Sequence, residues 1–129
     1  MPHFQIDYSA NIEEILDVSA LCEKIRATAA TIDTFPMAGI RVRATCVTHY
    51  AIADGDPKHG FIDLSVRLRA GRPTDVKRAA IAQIFAALQE FAAPAMATHS
   101  IAISAEMRDI DPDLSPKFGT IRSHLKDTS

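Results

Sequence analysis

The chain has 129 residues, 47% hydrophobic and 23% charged, the size and mixture of one soluble globular domain rather than a disordered or fibrous chain. Its formal net charge of -2 carries no basic excess that would call for nucleic acid or an anionic membrane as partner. Two cysteines, Cys22 and Cys46, are too few for a disulfide framework and lack metal-type spacing. They read as reduced core residues, and a cytoplasmic location is expected.

The first residues, MPHFQIDYS, lack the charged and apolar regions of a signal peptide. From His3 to Tyr8 the chain alternates, with Phe4, Ile6 and Tyr8 on one face and His3, Gln5 and Asp7 on the other, which predicts a half-buried strand. Val18, Leu21, Cys22, Ile25, Ala29 and Ile32 then recur at helical spacing. Pro36 and Gly39 break the chain, and a second alternating segment sets Ile40, Val42, Ala44 and Cys46 against Arg41, Arg43 and Thr45. After a second break at Asp54-Gly55-Asp56-Pro57, a third strand is predicted over Ile62–Arg69. The turn Gly71-Arg72-Pro73 leads into a helix that Thr74 or Asp75 can cap, with a stripe of Ile81, Ile84, Phe85, Leu88, Phe91 and Ala92. The most apolar window, Ala79–Ala97, contains Gln83, Gln89, Glu90 and Pro94, which argues against a bilayer span. A fourth strand follows over Ile101–Met107, then a tail interrupted by Pro112 and Pro116, with a short helix expected over Thr120–Lys126.

This order predicts an α+β fold in one domain, residues 1–129. It comprises two β-α-β units, about 2–57 and 58–110, and a tail over 111–129. The units form a four-stranded sheet whose crossovers are expected to be right-handed. Two helices cover only one sheet face. The other carries His3, Gln5, Asp7, Arg41, Arg43, Asp63, Arg67, Arg69 and Glu106, and it meets either water or another subunit.

No dinucleotide fingerprint, P-loop, zinc-protease motif or nucleophile elbow is present, and the five histidines show no ligand spacing. No metal is therefore expected. Pro2 leads directly into the first strand. If the initiator methionine is trimmed, as is usual before a small residue, the chain begins with a secondary amine. Burial and nearby arginines favour the neutral form of such an amine, suiting it to act as a general base. Proline is also an ordinary residue at the start of a strand. Arg41, Arg43 and Arg72 can bind carboxylates through paired hydrogen bonds, or can simply form a solvated polar face.

The residues Pro2-His3-Phe4, Phe35-Pro36-x-Ala38-Gly39-Ile40-Arg41-x-Arg43, Ala53-Asp54-Gly55, Ala70-Gly71-Arg72 and Ala102-x-Ser104-x-Glu106 followed by Pro112 run through essentially the whole chain. Together they resemble the 5-carboxymethyl-2-hydroxymuconate isomerase family of the tautomerase superfamily. The resemblance implies a tautomerase-like fold assembled as a homotrimer, with Pro2 shuttling a proton without a cofactor. It also implies that Arg41 and Arg72 bind the carboxylates of a polycarboxylate 2-hydroxy-2,4-dienoate, one of them from a neighbouring subunit. Such a substrate arises by ring cleavage of homoprotocatechuate. Two other readings remain at this point. One is a different tautomerase chemistry on the same proline, such as keto-enol tautomerisation, dehalogenation or decarboxylation. The other is a non-catalytic ferredoxin-like module that binds an anion or a protein.

Overall fold

Alternating segments become strands and the two helical stripes become helices, each seated on the sheet. The structure is a computed structural model and describes residues 1–126. In chain order the elements are β1 (His3–Ser9), α1 (Val18–Ala30), β2 (Arg41–Val47), β3 (His59–Arg69), α2 (Thr74–Met96) and β4 (Ser100–Ile110). The sheet order is β2-β1-β3-β4. β1 runs parallel to β2 and antiparallel to β3, and β3 runs parallel to β4. Each parallel neighbour is thus reached by a helical crossover, as parallel pairing requires.

The core lies on the helix side of the sheet. Phe4, Ile6 and Tyr8 of β1 and Ile62, Leu64, Val66 and Leu68 of β3 are buried there. Against them pack Leu21, Ile25 and Ala29 of α1 and Ile84, Ala87 and Leu88 of α2. Each fully buried large side chain contributes about 1.5–3 kcal/mol. On the edge strands the inward residues, such as Val42 and Ile103, are only half-buried, because an edge strand has a neighbouring strand on one side alone. By length and composition α2 is apolar enough to cross a membrane. Its buried stripe instead lies on β4 and α1.

Several boundaries differ from the sequence expectation. β3 begins at His59, three residues before the predicted Ile62. Gly60 hides the alternation there, and the Ser9 hydroxyl accepts the Phe61 amide at 2.9 Å. β4 continues past Met107 to Ile110, because the ladder with β3 holds through Arg69↔Ile110 even though Arg108 and Asp109 break the polarity pattern. Asp17 caps α1 by accepting the Ala20 amide at 3.1 Å. Thr74 and Asp75 do not cap α2. They lie inside it, Pro73 takes the capping position without a side-chain bond, and Asp75 serves as a first-turn acid. Cys22 and Cys46 are free, but both are half-buried at the edge of the core rather than within it. The expected helix over Thr120–Lys126 is a single 3-10 turn, Ile121–His124.

At the end of the sheet away from Pro2, His59 joins the loop after β2 to the start of β4. Its Nδ1 lies 2.6 Å from Ser100 Oγ and its Nε2 lies 2.8 Å from Asp54 Oδ1. The loop turns through Ala53 at φ 51° and Gly55 at φ 87°, so the Asp54-Gly55 pair of the sequence motif shapes this turn.

Candidate active site

Strand register arranges the polar face in rows. Arg41, His3, Arg67 and Arg108 stand side by side across β2, β1, β3 and β4. The next row is Arg43, Gln5, Ser65 and Glu106, followed by Thr45, Asp7, Asp63 and Ser104. Arg43 Nε donates to Gln5 Oε1 at 2.7 Å, and its Nη1 lies 3.3 Å from His3 Nδ1. Because an arginine only donates, this contact selects the histidine tautomer with Nδ1 unprotonated. Burial lowers the His3 pKa first, and Arg67, Arg43 and Arg41 lower it further.

Pro2 stands just before β1 and is fully buried. Its carbonyl accepts the Arg41 amide at 3.2 Å, so the backbone that presents Pro2 also anchors the first residue of β2. Arg41 Nη1 turns back to the Gly39 carbonyl at 3.1 Å and to Met1 Sδ at 3.2 Å. Beside this corner opens a cleft of about 600 Å³, lined by Met1, His3, Arg41, Arg67, Arg69 and Lys117 among others. A second hollow of about 370 Å³ shares Met1, Arg41, Lys117 and Phe118 with it.

The terminal amine, which in the encoded chain belongs to Met1, has its pKa lowered from the ordinary value of 8.0. Burial is the largest cause, followed by the positive charges of Lys117, Arg72, Arg69 and Arg41. Ion pairs of the described residues lie elsewhere, as in Lys24–Glu90, Arg26–Glu23, Lys77–Asp109 and Arg108–Glu106. Arg41, Arg67, Arg69, Arg72 and Lys117 have no carboxylate partner among the described residues. Five cations without carboxylate partners make the potential at this corner of the fold positive.

A larger hollow, about 720 Å³, lies near the start of α1 among Tyr8, Glu13, Glu14 and Asp17. Its acidic lining has the wrong sign for a carboxylate ligand. There the Tyr8 hydroxyl donates to Glu13, which pushes the phenol's pKa up, with burial adding to the effect. Size alone therefore does not identify the site.

Of the residues singled out from the sequence, Pro2 and Arg41 meet at this corner. Arg72 does not line either hollow. Its Nη1 donates to the Arg69 carbonyl at 3.1 Å, and its charge still acts on the terminal amine. Arg43 points to Gln5 and His3 on the open face. Lys117 was not singled out. It sits in a tail without periodicity, and only the end of β4 beside β3 brings it to the cleft: Ala70 N–H donates to Ile110 C=O at 3.0 Å.

The profile of the 5-carboxymethyl-2-hydroxymuconate isomerase family matches residues 2–125. A 5-carboxymethyl-2-hydroxymuconate Delta-isomerase of Escherichia coli is 30% identical over 126 residues, which cover 98% of this chain and 100% of that one. The crystal structure of a 5-carboxymethyl-2-hydroxymuconate isomerase from Deinococcus radiodurans R1 superposes with a TM-score of 0.89 at 29% identity, covering 98% of this chain and 95% of that one. A structure described as a fused 4-OT wild-type symmetric trimer shares the fold alone, with a TM-score of 0.63 at 17% identity over 88% of this chain and 91% of that one. The chain belongs to the 5-carboxymethyl-2-hydroxymuconate isomerase family, and its four-stranded α+β fold is tautomerase-like.

Proposed function

We propose that this isomerase converts 5-carboxymethyl-2-hydroxymuconate into its conjugated 2-oxo-3-ene isomer, with Pro2 as the base, in the cytoplasmic breakdown of homoprotocatechuate. The observation that carries the reading is the group of cations without carboxylate partners around the buried Pro2. Removal of Met1 turns the Pro2 nitrogen from an amide into a secondary amine. The same burial and the same positive charges then keep that amine neutral and ready to accept a proton.

In the reaction the Pro2 nitrogen takes the proton from the 2-hydroxyl group, the O–H bond breaks, and the electron pair moves through the diene. The same nitrogen returns the proton to carbon 5, where a C–H bond forms. The product carries a 2-oxo group and a double bond at carbon 3, and the atoms balance without a cofactor. Negative charge spreads over the dienolate between these steps. Fixed cations at its ends stabilise that charge and hold the chain in register with the base. Arg41 grips one carboxylate directly, and Arg72 adds its charge from the turn after β3.

The assembly that fits this reading is a homotrimer. Among the described residues no helix packs on the face opposite α1 and α2, and ring closure occupies sheet edges that would otherwise pair without limit. Intact mass and turnover test the base. The active protein is expected to have lost Met1, and a form that retains Met1 at full activity overturns the proline mechanism.

A further inference from the structure

The proposed substrate carries three carboxylates, two on the muconate backbone and one on the carboxymethyl arm. Arg41 grips one of them directly, and Arg72, which lines neither hollow, contributes only its charge. The carboxylate on the arm has no direct partner in that assignment, and the tail after β4 supplies one.

Lys117 stands where the two hollows meet, lining both together with Met1 and Arg41. It has no hydrogen-bond or ion-pair partner among the described residues. The segment that carries it is held in shape. Asp111 accepts the Asp113 amide at 2.9 Å, and Ser115 Oγ donates to the Asp111 carbonyl at 2.6 Å. Pro116 then fixes the backbone φ immediately before Lys117. Lysine and arginine suit different carboxylates. A planar guanidinium matches a carboxylate locked in the plane of a conjugated chain, whereas an ammonium on a flexible stem follows a carboxylate on a freely rotating methylene.

We propose that Lys117 binds the carboxylate of the substrate's carboxymethyl arm and thereby makes the site prefer three carboxylates over two. This rests on the isomerase reading above. A carboxylate docked on Lys117 lies in the hollows that Met1 lines, beside the N-terminal corner. Because Lys117 is exposed, its replacement removes no core contact, and the variants are expected to fold.

Titration calorimetry with two unreactive probes tests the assignment. Tricarballylate offers three carboxylates and glutarate two. Lys117→Ala is expected to weaken tricarballylate binding by about 10- to 100-fold, the loss of one charge-assisted contact, and glutarate binding by less than about threefold. Lys117→Arg is expected to restore most of the tricarballylate affinity. Equal losses for both probes, no loss for either, or no tricarballylate binding to the unmodified enzyme would each overturn the assignment. Turnover of 5-carboxymethyl-2-hydroxymuconate by the unmodified enzyme separates the two claims. Lys117-dependent tricarballylate binding without turnover keeps the Lys117 site and refutes the isomerase reading. Turnover with probe binding indifferent to Lys117 does the reverse.

Discussion

Gly39 lies directly beneath Pro2: a Cβ on Gly39 would stand 2.8 Å from Pro2 Cδ and 3.0 Å from Met1 Cα. Neither atom is the free end of a flexible side chain, so the Gly39 hydrogen is what lets the proline reach its seat. Gly39→Ala is expected to push Pro2 off its position at an overpacking cost of about 1–3 kcal/mol. Activity is expected to fall further than stability, because proton transfer depends on the placement of one nitrogen. Denaturant midpoints and kcat/KM on the same preparation check this. Unchanged values for both would mean that Pro2 is not held by this contact.

Much of this arrangement could be read in the sequence. The strands announced themselves because β1 and β3 each place one face wholly in the core, so every second residue is apolar. The Phe-Pro-x-Ala-Gly-Ile-Arg string pointed at the Gly39–Arg41 corner. Lys117 gave no such signal, since a tail residue reaches the site only through the tertiary path of β4. The His59 bridge was equally silent, because Asp54, His59 and Ser100 are brought together by strand register and not by spacing.

In the proposed mechanism the freed Pro2 amine sets the acid limb of the pH profile. Burial and the charges of Lys117, Arg72, Arg69 and Arg41 lower the pKa of the amine at this terminus, and the base works only when neutral, so kcat/KM is expected to rise with pH and then level off. Removing a neighbouring charge favours the protonated form. Arg69→Ala is therefore expected to move the inflection upward. An Arg69→Ala profile whose inflection stays in place would contradict the environment described for this amine.

Arg41 lines the cleft and Arg72 does not, so their replacements should differ. Arg41→Ala is expected to lose a charge-assisted contact worth about 1.5–3 kcal/mol, a loss of roughly 10- to 100-fold in kcat/KM. Arg72→Ala is expected to lose less and to shift the pH profile along with the rate. Lysine at position 41 should restore only part, because the paired geometry is gone. Steady-state kinetics on the three variants decide the ranking, and an Arg41→Ala enzyme with full kcat/KM would remove Arg41 from the site.

Acid should loosen the loop between β2 and β3. The Asp56 amide and His59 hold the Asp54 pKa below its ordinary 3.8. For an acid whose folded pKa is depressed, the stabilising contribution is complete above the unfolded value and disappears as pH falls through the folded one. Asp54→Asn is accordingly expected to be less stable than the unmodified chain above pH 3.8, with the difference shrinking below it as the folded carboxylate takes up its proton. Denaturant melts across this range test the difference, and parallel curves would show that the bridge contributes nothing.

Light scattering at micromolar concentration is expected to report three times the 14.0 kDa chain mass. A monomer that keeps full activity on dilution would show that the open sheet face is ordinary solvated surface and that one chain suffices for catalysis.

The rows across that face have a further consequence for the arrival of substrate. The row of Arg41, His3, Arg67 and Arg108 lies two rows from Asp7 and Asp63, which stand directly opposite one another. In the proposed homotrimer the acidic row lies in the covered part of the face, so an approaching polyanion meets the cations at the cleft, Arg41, Arg67, Arg69 and Lys117. A chain with a formal charge of -2 can in this way capture anions faster than its net charge suggests. Such guidance acts over distances that salt shortens, to about 8 Å at physiological ionic strength. Added salt is thus expected to slow encounter steeply while leaving the proton transfer inside the cleft at its own pace.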